Sequence, residues 1–249
     1  MTAPALLLAH GATGSLADNY GPVRERLEHG RTVLGADYPG SGDAPRSGEP
    51  LELDSLADLL VAEADAAGVE RFAVSGYSLG TAVAARIATR HPGRVTAVVL
   101  TAPFARLDNR TLLHVRQWKH LYETGDRLAL GRHMLPLALG PAALEAIAPA
   151  DLDAAALATG ESAPPGTAEQ VDLVARADVR DDLPRIAVPT LVVVTTEDRL
   201  VPVPLQRAVA AAVPGARTAG LATGHLPFAE APEEWAGLIT SFLDEVAGG

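Results

Sequence analysis

Short apolar runs alternate with helical patterns along most of the chain, and this alternation constrains the fold more than any other feature. The apolar runs read as strands buried on both faces of a sheet. They span Ala5–Ala9, Thr32–Ala36, Phe72–Ser75, Val95–Thr101, Thr190–Thr195 and Ala216–Leu221. The helical patterns between them lie at about Pro22–Glu28, Ser55–Ala67, Thr81–Arg90, Pro204–Ala212 and Pro232–Val246. We therefore predict an α/β fold with a mostly parallel sheet of about six strands flanked by helices.

One segment, residues 105–184, interrupts the alternation. It contains helical pieces separated by loops such as "ATGESAPPGT" and has no convincing strand. Helices inserted into a sheet scaffold are most simply a cap over the functional edge. We predict a core made of residues 1–104 and 185–249, with this helical insertion between its two parts.

Charge and composition exclude several classes of function. The formal net charge of −11 argues against nucleic acid or an anionic membrane surface as a partner. There is no cysteine, which excludes disulfides and thiolate chemistry. The first residues, "MTAPALLLAHG", lack a basic residue before the apolar run and read as a strand rather than a signal peptide. No apolar stretch approaches the ~20 residues of a membrane span, so we expect a soluble, cytoplasmic protein.

The stretch "GYSLG", residues 76–80, lies where an apolar strand gives way to a helical pattern. Such an abrupt bend leaves no room for side chains on either side of its central residue. Gly76 and Gly80 fit there because they carry no side chain, and Ser78 is pushed outward with its hydroxyl exposed. A serine in this G-x-S-x-G pattern is typical of a nucleophile, although an ordinary turn would fit the same three positions.

Three further stretches carry polar residues just beyond predicted strands. "HGATG" follows the first strand, Asp198 comes three residues after Thr195, and His225 follows the last strand. Loops after parallel strands open at one edge of a sheet, so Ser78, Asp198 and His225 are expected to meet there. A serine needs a neighbouring base, and an acid would orient the histidine. Asp108, after an earlier strand, is the alternative acid.

These stretches, in this order, resemble the α/β-hydrolase superfamily. The similarity runs from about Leu6 to Val246 through "HGATGS", "DYPGSGDA", "GYSLG", "EDRLVP" and "GHLPFAE", with the insertion unmatched. It implies a Ser78–His225–Asp198 triad and an oxyanion hole made by the backbone N–H groups of Ala12 and Leu79. Many members begin with an antiparallel hairpin, for which this chain has too few residues, so we expect a sheet shortened at that edge.

The remaining site predictions concern the pocket and bound groups. Pocket-lining candidates are Gly11, Tyr77, Trp118, Tyr122 and Leu226, and His10 is expected to brace the oxyanion loop rather than react. The seven histidines show no H-E-x-x-H or comparable ligand spacing. There is also no nucleotide-binding glycine motif. We expect neither a metal nor a cofactor.

The sequence thus predicts a serine hydrolase that cleaves an ester or thioester of a small to medium organic substrate through an acyl-serine intermediate.

The segment from Ala105 to His133 contains six basic residues and three acidic ones. This basic segment is either an ordinary solvated surface or a site for an anionic group, such as an acyl-CoA or carrier-protein thioester or a substrate carboxylate. Two other classes stay open: non-hydrolytic use of the triad (a cyclase, carbon–carbon bond hydrolase or perhydrolase) and a catalytically idle ligand receptor.

Overall fold

A computed structural model describes residues 4–248 and contains one six-stranded sheet. The strands are β1 (Ala5–Ala9), β2 (Thr32–Gly35), β3 (Phe72–Tyr77), β4 (Val95–Thr101), β5 (Thr190–Thr195) and β6 (Arg217–Leu221). Every strand pair is parallel, and the order across the sheet is β2-β1-β3-β4-β5-β6. This confirms the predicted fold class. Residues 1–3 and 249 of the predicted core lie outside the described residues.

Helices cover both faces of the sheet, which is why the strands are almost continuously apolar. Alternate residues of β1 point to opposite faces, with Leu7 in one core cluster and Leu6 in the other. The helices of the core are α1 (Leu16–Tyr20), α2 (Arg24–Glu28), α3 (Leu53–Ala66), α4 (Leu79–Arg90), α10 (Val203–Ala212), α11 (Pro227–Glu230) and α12 (Pro232–Gly248). The first cluster lies under α3, α4 and α10, and the second lies under α1, α2 and α12.

The helical insertion lies between β4 and β5. Its helices are α5 (Asn109–Thr124), α6 (Arg127–Ala138), α7 (Pro141–Glu145), α8 (Leu152–Glu161) and α9 (Thr167–Arg176). The helices pack in pairs, α6 on α8 and α5 on α9. The first pair is in backbone contact, because a Cβ at Gly131 would lie 1.6 Å from the Ala156 carbonyl oxygen. The insertion is therefore a packed layer with contacts of its own.

The first predicted helix differs from the observed backbone. Instead of one helix over Pro22–Glu28, the chain forms α1, a 3₁₀ turn over Gly21–Val23, and then α2. Ser15 explains the earlier start, since its hydroxyl accepts a hydrogen bond from the Asp18 N–H as an N-cap. None of the helices within residues 4–248 is long and apolar enough to cross a membrane.

Candidate active site

The bend after β3 holds Ser78 in a conformation that few residues adopt. Its φ is 51° and its ψ is −118°, so the residue at the junction of β3 and α4 has a strained backbone with positive φ. A Cβ at Gly76 would lie 2.3 Å from the Gly80 carbonyl oxygen, and one at Gly80 would lie 2.0 Å from the Ala9 carbonyl oxygen. The two glycines therefore let strand, bend and helix touch, as the sequence pattern indicates.

Substitution of Gly80 by alanine is expected to destabilise the whole fold. The added methyl would meet backbone on β1, which cannot move without disturbing the sheet. Overpacking usually costs about 1–3 kcal/mol, and we expect the upper end or more because the obstacle is backbone. Urea unfolding would measure the loss. Gly93→Ala is the control, since nothing lies within 4 Å of its added Cβ; equal effects would contradict this account of the bend.

Ser78, His225 and Asp198 lie in one hydrogen-bonded line. The His225 Nε2 is 2.9 Å from the Ser78 Oγ, and its Nδ1 is 2.7 Å from the Asp198 Oδ2. His225 and Asp198 are buried, while Ser78 is half-buried. This arrangement can transfer the serine proton to the imidazole while the carboxylate stabilises the imidazolium that forms.

The surroundings of Asp198 fix its orientation. Its Oδ1 accepts hydrogen bonds from the N–H groups of Leu200 and Val201, at 2.9 and 2.8 Å. Its Oδ2 accepts from the Thr195 hydroxyl at 2.9 Å and from the Gln206 amide at 3.2 Å, besides facing His225. Apart from His225, each of these neighbours donates a hydrogen bond to the carboxylate. The carboxylate is therefore expected to act as an acceptor toward His225 as well, with the proton on Nδ1.

Asp108, the alternative acid, lies at the start of α5. Its Oδ1 accepts a hydrogen bond of 2.7 Å from the Thr111 N–H, which makes it the N-cap of that helix. That hydrogen bond is the main cause of a lowered pKa for the Asp108 carboxyl. The structure places His225 in hydrogen-bond contact with Asp198, whereas Asp108 caps the first helix of the insertion.

The loop after β1 carries the predicted oxyanion donor between two anchored neighbours. The Gly11 N–H donates to the Asn19 Oδ1 at 2.9 Å, and the Thr13 N–H donates to the Gln170 Oε1 at 2.7 Å. Within residues 4–248, the N–H groups of Ala12 and Leu79 donate no hydrogen bond. Leu79 is also the first residue of α4, where the helix dipole favours negative charge. Both N–H groups are thus without an acceptor among the described residues, as an oxyanion hole would require.

His10 braces this loop from the core. Its ring is stacked on Tyr38, with the Nδ1 2.7 Å from the Gly11 carbonyl oxygen, while the Tyr38 N–H donates to its Nε2 at 2.9 Å. The second bond requires an unprotonated Nε2, so the proton belongs on Nδ1. Complete burial lowers the pKa of His10 to about 4, which keeps the ring neutral.

This lowered pKa predicts a loss of stability in acid. The folded state takes up the His10 proton only near pH 4, whereas the unfolded chain takes it up near 6.5. The stability present above pH 6.5 should therefore decline as pH falls to 4, by about 3 kcal/mol from this group. Urea unfolding of the wild type and His10→Gln across this range would check it. If both lose stability equally, the decline belongs to other groups.

A cavity of about 350 Å³ opens onto Ser78 and His225. Of the predicted lining residues, Tyr77, Trp118 and Leu226 lie in its wall, together with Leu130 and Met134 of α6. The walls are mainly apolar. Asp18 is the one carboxylate among the lining residues that the structure describes, and no lysine or arginine is among them.

Two predicted lining residues lie elsewhere. Gly11 is behind the wall, where an added Cβ would meet the Tyr77 ring at 2.7 Å. Tyr122 is one turn beyond Trp118, and its hydroxyl donates to the Pro164 carbonyl oxygen at 3.0 Å. Trp118 and Tyr122 are four residues apart and so lie on one face of α5, but only Trp118 reaches the cavity.

Sequence reasoning missed several residues that support the site. Glu230 accepts hydrogen bonds from the N–H groups of Gly224 and Gly140, at 3.0 and 3.2 Å, and so joins the His225 loop to the end of α6. Gln170 and Asn19 hold the loop around Ala12, the predicted oxyanion donor, through hydrogen bonds to Thr13 and Gly11. The position of Glu230 within "GHLPFAE" was a usable signal, because that stretch was already singled out. Gln170 lies in the insertion and had no such signal.

The basic residues of the insertion lie outside the cavity wall. Lys119 pairs with Asp172 at 2.9 Å, and Arg132 pairs with Asp153 at 2.6 Å. Among the described residues, Arg106, Arg110 and Arg116 have no acidic partner within 4.0 Å, and all three are exposed. Of the six basic residues of this segment, Lys119 and Arg132 are thus paired with carboxylates. Residues 4–248 also hold no cluster of three or more His, Asp or Glu side chains suited to a metal ion.

Known proteins match the chain over most of its length. A family model described as "alpha/beta hydrolase fold" matches residues 4–135. Pyrrolizixenacetamide deacetylase of Xenorhabdus hominickii is 36% identical over 245 residues, covering 96% of this chain and 91% of that protein. Pimeloyl-[acyl-carrier protein] methyl ester esterase of Neisseria meningitidis serogroup C is 29% identical, with coverages of 97% and 93%.

A solved structure shares the fold. An alpha/beta hydrolase enzyme from a Medee basin deep-sea metagenome library superposes with a TM-score of 0.86 at 19% identity. The superposition covers 98% of this chain and 90% of that one. At this identity the likeness concerns the fold alone.

Proposed function

The chain belongs to the α/β-hydrolase family, and from that premise we propose that it is a serine hydrolase acting on carboxylic esters through an acyl-Ser78 intermediate. The observation that carries the proposal is the continuous line from Ser78 through His225 to Asp198. Both relatives named above act, by their names, on acyl bonds: one is a deacetylase and the other a methyl ester esterase. Residues 105–184 are proposed to serve as the cap.

The proposed reaction has two steps. The Ser78 Oγ attacks the carbonyl carbon of the ester while its proton passes to the His225 Nε2. The resulting oxyanion binds the N–H groups of Ala12 and Leu79, and each such donor is worth roughly 2.7–4 kcal/mol in the transition state. His225 then protonates the leaving alcohol. A water molecule, deprotonated by His225, attacks the acyl-serine and releases the acid and the free enzyme.

The cavity indicates the class of acyl group. Its volume of about 350 Å³ and its mainly apolar wall fit a short or medium uncharged chain. A substrate carboxylate within it would find no lysine or arginine among the described lining residues. A negatively charged part of the substrate is therefore expected on the leaving-group side, outside the wall.

A series of p-nitrophenyl esters of increasing acyl length tests this function, with labelling by a fluorophosphonate probe as a second measurement. We expect labelling at Ser78, turnover of short and medium neutral esters, and a decline once the chain exceeds the cavity. Absence of both labelling and turnover in folded protein would favour the idle receptor. Products formed without incorporation of ¹⁸O from labelled water would favour a non-hydrolytic enzyme.

The exposed arginines on α5 favour a second candidate, an acyl-CoA or carrier-protein thioesterase. The Neisseria meningitidis relative carries an acyl-carrier protein in its name, and Arg110 and Arg116 are exposed without acidic partners among the described residues. In a chain of net charge −11, such groups would raise the local concentration of an anionic substrate.

The double change Arg110→Glu and Arg116→Glu tests the thioester candidate. If these residues meet an anionic leaving group, KM for acyl-CoA should rise several-fold and lose its salt dependence, while neutral-ester kinetics stay unchanged. Lys119 is left in place because its reversal would set a carboxylate beside Asp172. The control is Arg71→Glu with Arg207→Glu, which changes net charge equally at two other exposed sites. Equal effects from both pairs would contradict a specific site.

A further inference from the structure

Gln170 is a buried polar residue of the insertion that the proposed reaction does not use. It lies in α9 with no exposed surface. Its Oε1 accepts from the Thr13 N–H at 2.7 Å, and its Nε2 donates to the Ser41 Oγ at 2.8 Å and the Pro39 carbonyl oxygen at 3.1 Å. One side chain thus connects the insertion to two loops of the core.

Thr13 needs such a contact because its backbone is strained. Its φ is 61°, in the left-handed region, where a β-branched residue is a true outlier. Strained conformations of this kind persist only when surrounding contacts hold them. The bond from the Thr13 N–H to Gln170 is such a contact, and it comes from a residue 157 positions away in the chain.

The strained residue directly follows the proposed oxyanion donor. Ala12 lies between Gly11, which is anchored through Asn19 of the core, and Thr13, which is anchored through Gln170 of the insertion. The Ala12 N–H lies in the Gly11–Ala12 peptide plane. The peptide planes before and after it carry the anchored N–H groups of Gly11 and Thr13, and they set its direction. If the Thr13 anchor is lost, the loop can relax toward ordinary backbone angles and rotate that N–H away from the oxyanion.

We propose that Gln170 is a positioning residue that completes the oxyanion hole from the helical insertion, an inference that rests on the proposed serine hydrolase function. The insertion then does more than cover the cavity, because the geometry of the transition-state site depends on the docking of α9. Ester cleavage should respond to this contact mainly through kcat, since the donor acts on the oxyanion rather than on the bound ester.

Gln170→Met tests the proposal, since it keeps the length of the side chain and removes its hydrogen bonds. We expect kcat for a p-nitrophenyl ester to fall about 10- to 100-fold with little change in KM, less than the 10²–10³ for outright removal of a donor. Inhibition by a trifluoromethyl ketone, which forms a tetrahedral adduct, should weaken in the same proportion. Gln170→Glu keeps an oxygen facing Thr13 and should recover most of the lost kcat.

Two controls separate positioning from general docking of α9. Ser41→Ala removes one partner of Gln170 but leaves the Thr13 bond, and Arg46→Gln breaks the neighbouring ion pair with Glu169. Both should keep kcat within threefold of the wild type. Circular dichroism and thermal unfolding would establish that each variant is folded at the assay temperature. If Gln170→Met is not, Gln170→Leu, which likewise cannot accept a hydrogen bond from the Thr13 N–H, replaces it in the comparison with Ser41→Ala.

The proposal is overturned if Gln170→Met keeps wild-type kcat, if it loses no more than Ser41→Ala, or if only KM changes. These outcomes are distinct from failure of the underlying function. That failure would appear as wild-type protein that neither labels with fluorophosphonate nor cleaves esters, and the inference would then fall with it. A wild type that loses activity on Ser78→Ala but not on Gln170→Met would refute the positioning role alone.

Discussion

Replacing Ser78 by alanine is expected to lower kcat for ester hydrolysis by about 10⁶, the loss seen when the nucleophile of a serine protease triad is removed. In the proposed mechanism the hydroxyl attacks the ester, and within residues 4–248 no other side chain forms a hydrogen bond with the His225 Nε2, which lies 2.9 Å from the Ser78 Oγ. Stability should change little, because the bend at residue 78 is made possible by Gly76 and Gly80 rather than by the hydroxyl. Initial rates and thermal unfolding of both proteins would check the two expectations.

Ser75→Ala provides the matched control. Ser75 is a buried serine three residues earlier on β3, and its hydroxyl lies 3.4 Å from the Tyr20 hydroxyl in the core. We expect this variant to keep its activity and its fluorophosphonate labelling while losing some stability. If Ser78→Ala retained activity within tenfold of the wild type, the nucleophile would have to be sought elsewhere.

The sheet was largely predictable from the sequence because its strands are short, apolar and separated by helices. β1, β4 and β5 have the predicted ends. β3 runs two residues further than predicted, since Gly76 and Tyr77 still pair with Leu100 and Thr101 of β4. A glycine within a motif indicates a turn, but here the strand continues through Gly76 and ends at Tyr77. Where the strand ends depends on its pairing with β4, which the local sequence does not reveal.

The helical insertion was much less predictable, because its contacts join residues far apart in the chain. The sequence indicates helices there but not that α6 and α8 touch through Gly131, or that Tyr122 turns toward Pro164. Gln170 lies in "TAEQVDLVAR", which reads as an ordinary amphipathic helix. Only the folded chain places its amide against Thr13. Motifs therefore indicated the groups that are proposed to react, whereas the residues that hold those groups in place could be identified only from the structure.

The choice between Asp198 and Asp108 was also left open by the sequence, because both follow a strand that ends at the functional edge. The structure separates them by their partners: His225 for Asp198, and the first turn of α5 for Asp108. Because their contacts differ, the same change from aspartate to asparagine is expected to lower activity strongly at Asp198 and hardly at all at Asp108.

Asp198→Asn is expected to lower kcat by about 10⁴, as the corresponding change does in a serine protease triad. The N–H groups of Leu200 and Val201 hold one oxygen, so the new amide oxygen stays with them and the new amide nitrogen faces His225. That nitrogen donates, and it would require an unprotonated Nδ1. The histidine proton would then move to Nε2, which could no longer accept the proton of Ser78. Because an amide replaces a carboxylate of the same shape, the protein should stay folded.

Asp108→Asn is the matched control, with the same change made on a residue that caps a helix. Asparagine caps helices about as well as aspartate, so the Thr111 N–H keeps an acceptor and activity should stay within about twofold of the wild type. Steady-state kinetics of both variants with one neutral ester would decide. A large loss at Asp108 with none at Asp198 would place the acid after β4 and would require His225 to leave the contact seen here, since one imidazole Nδ1 has a single proton to donate.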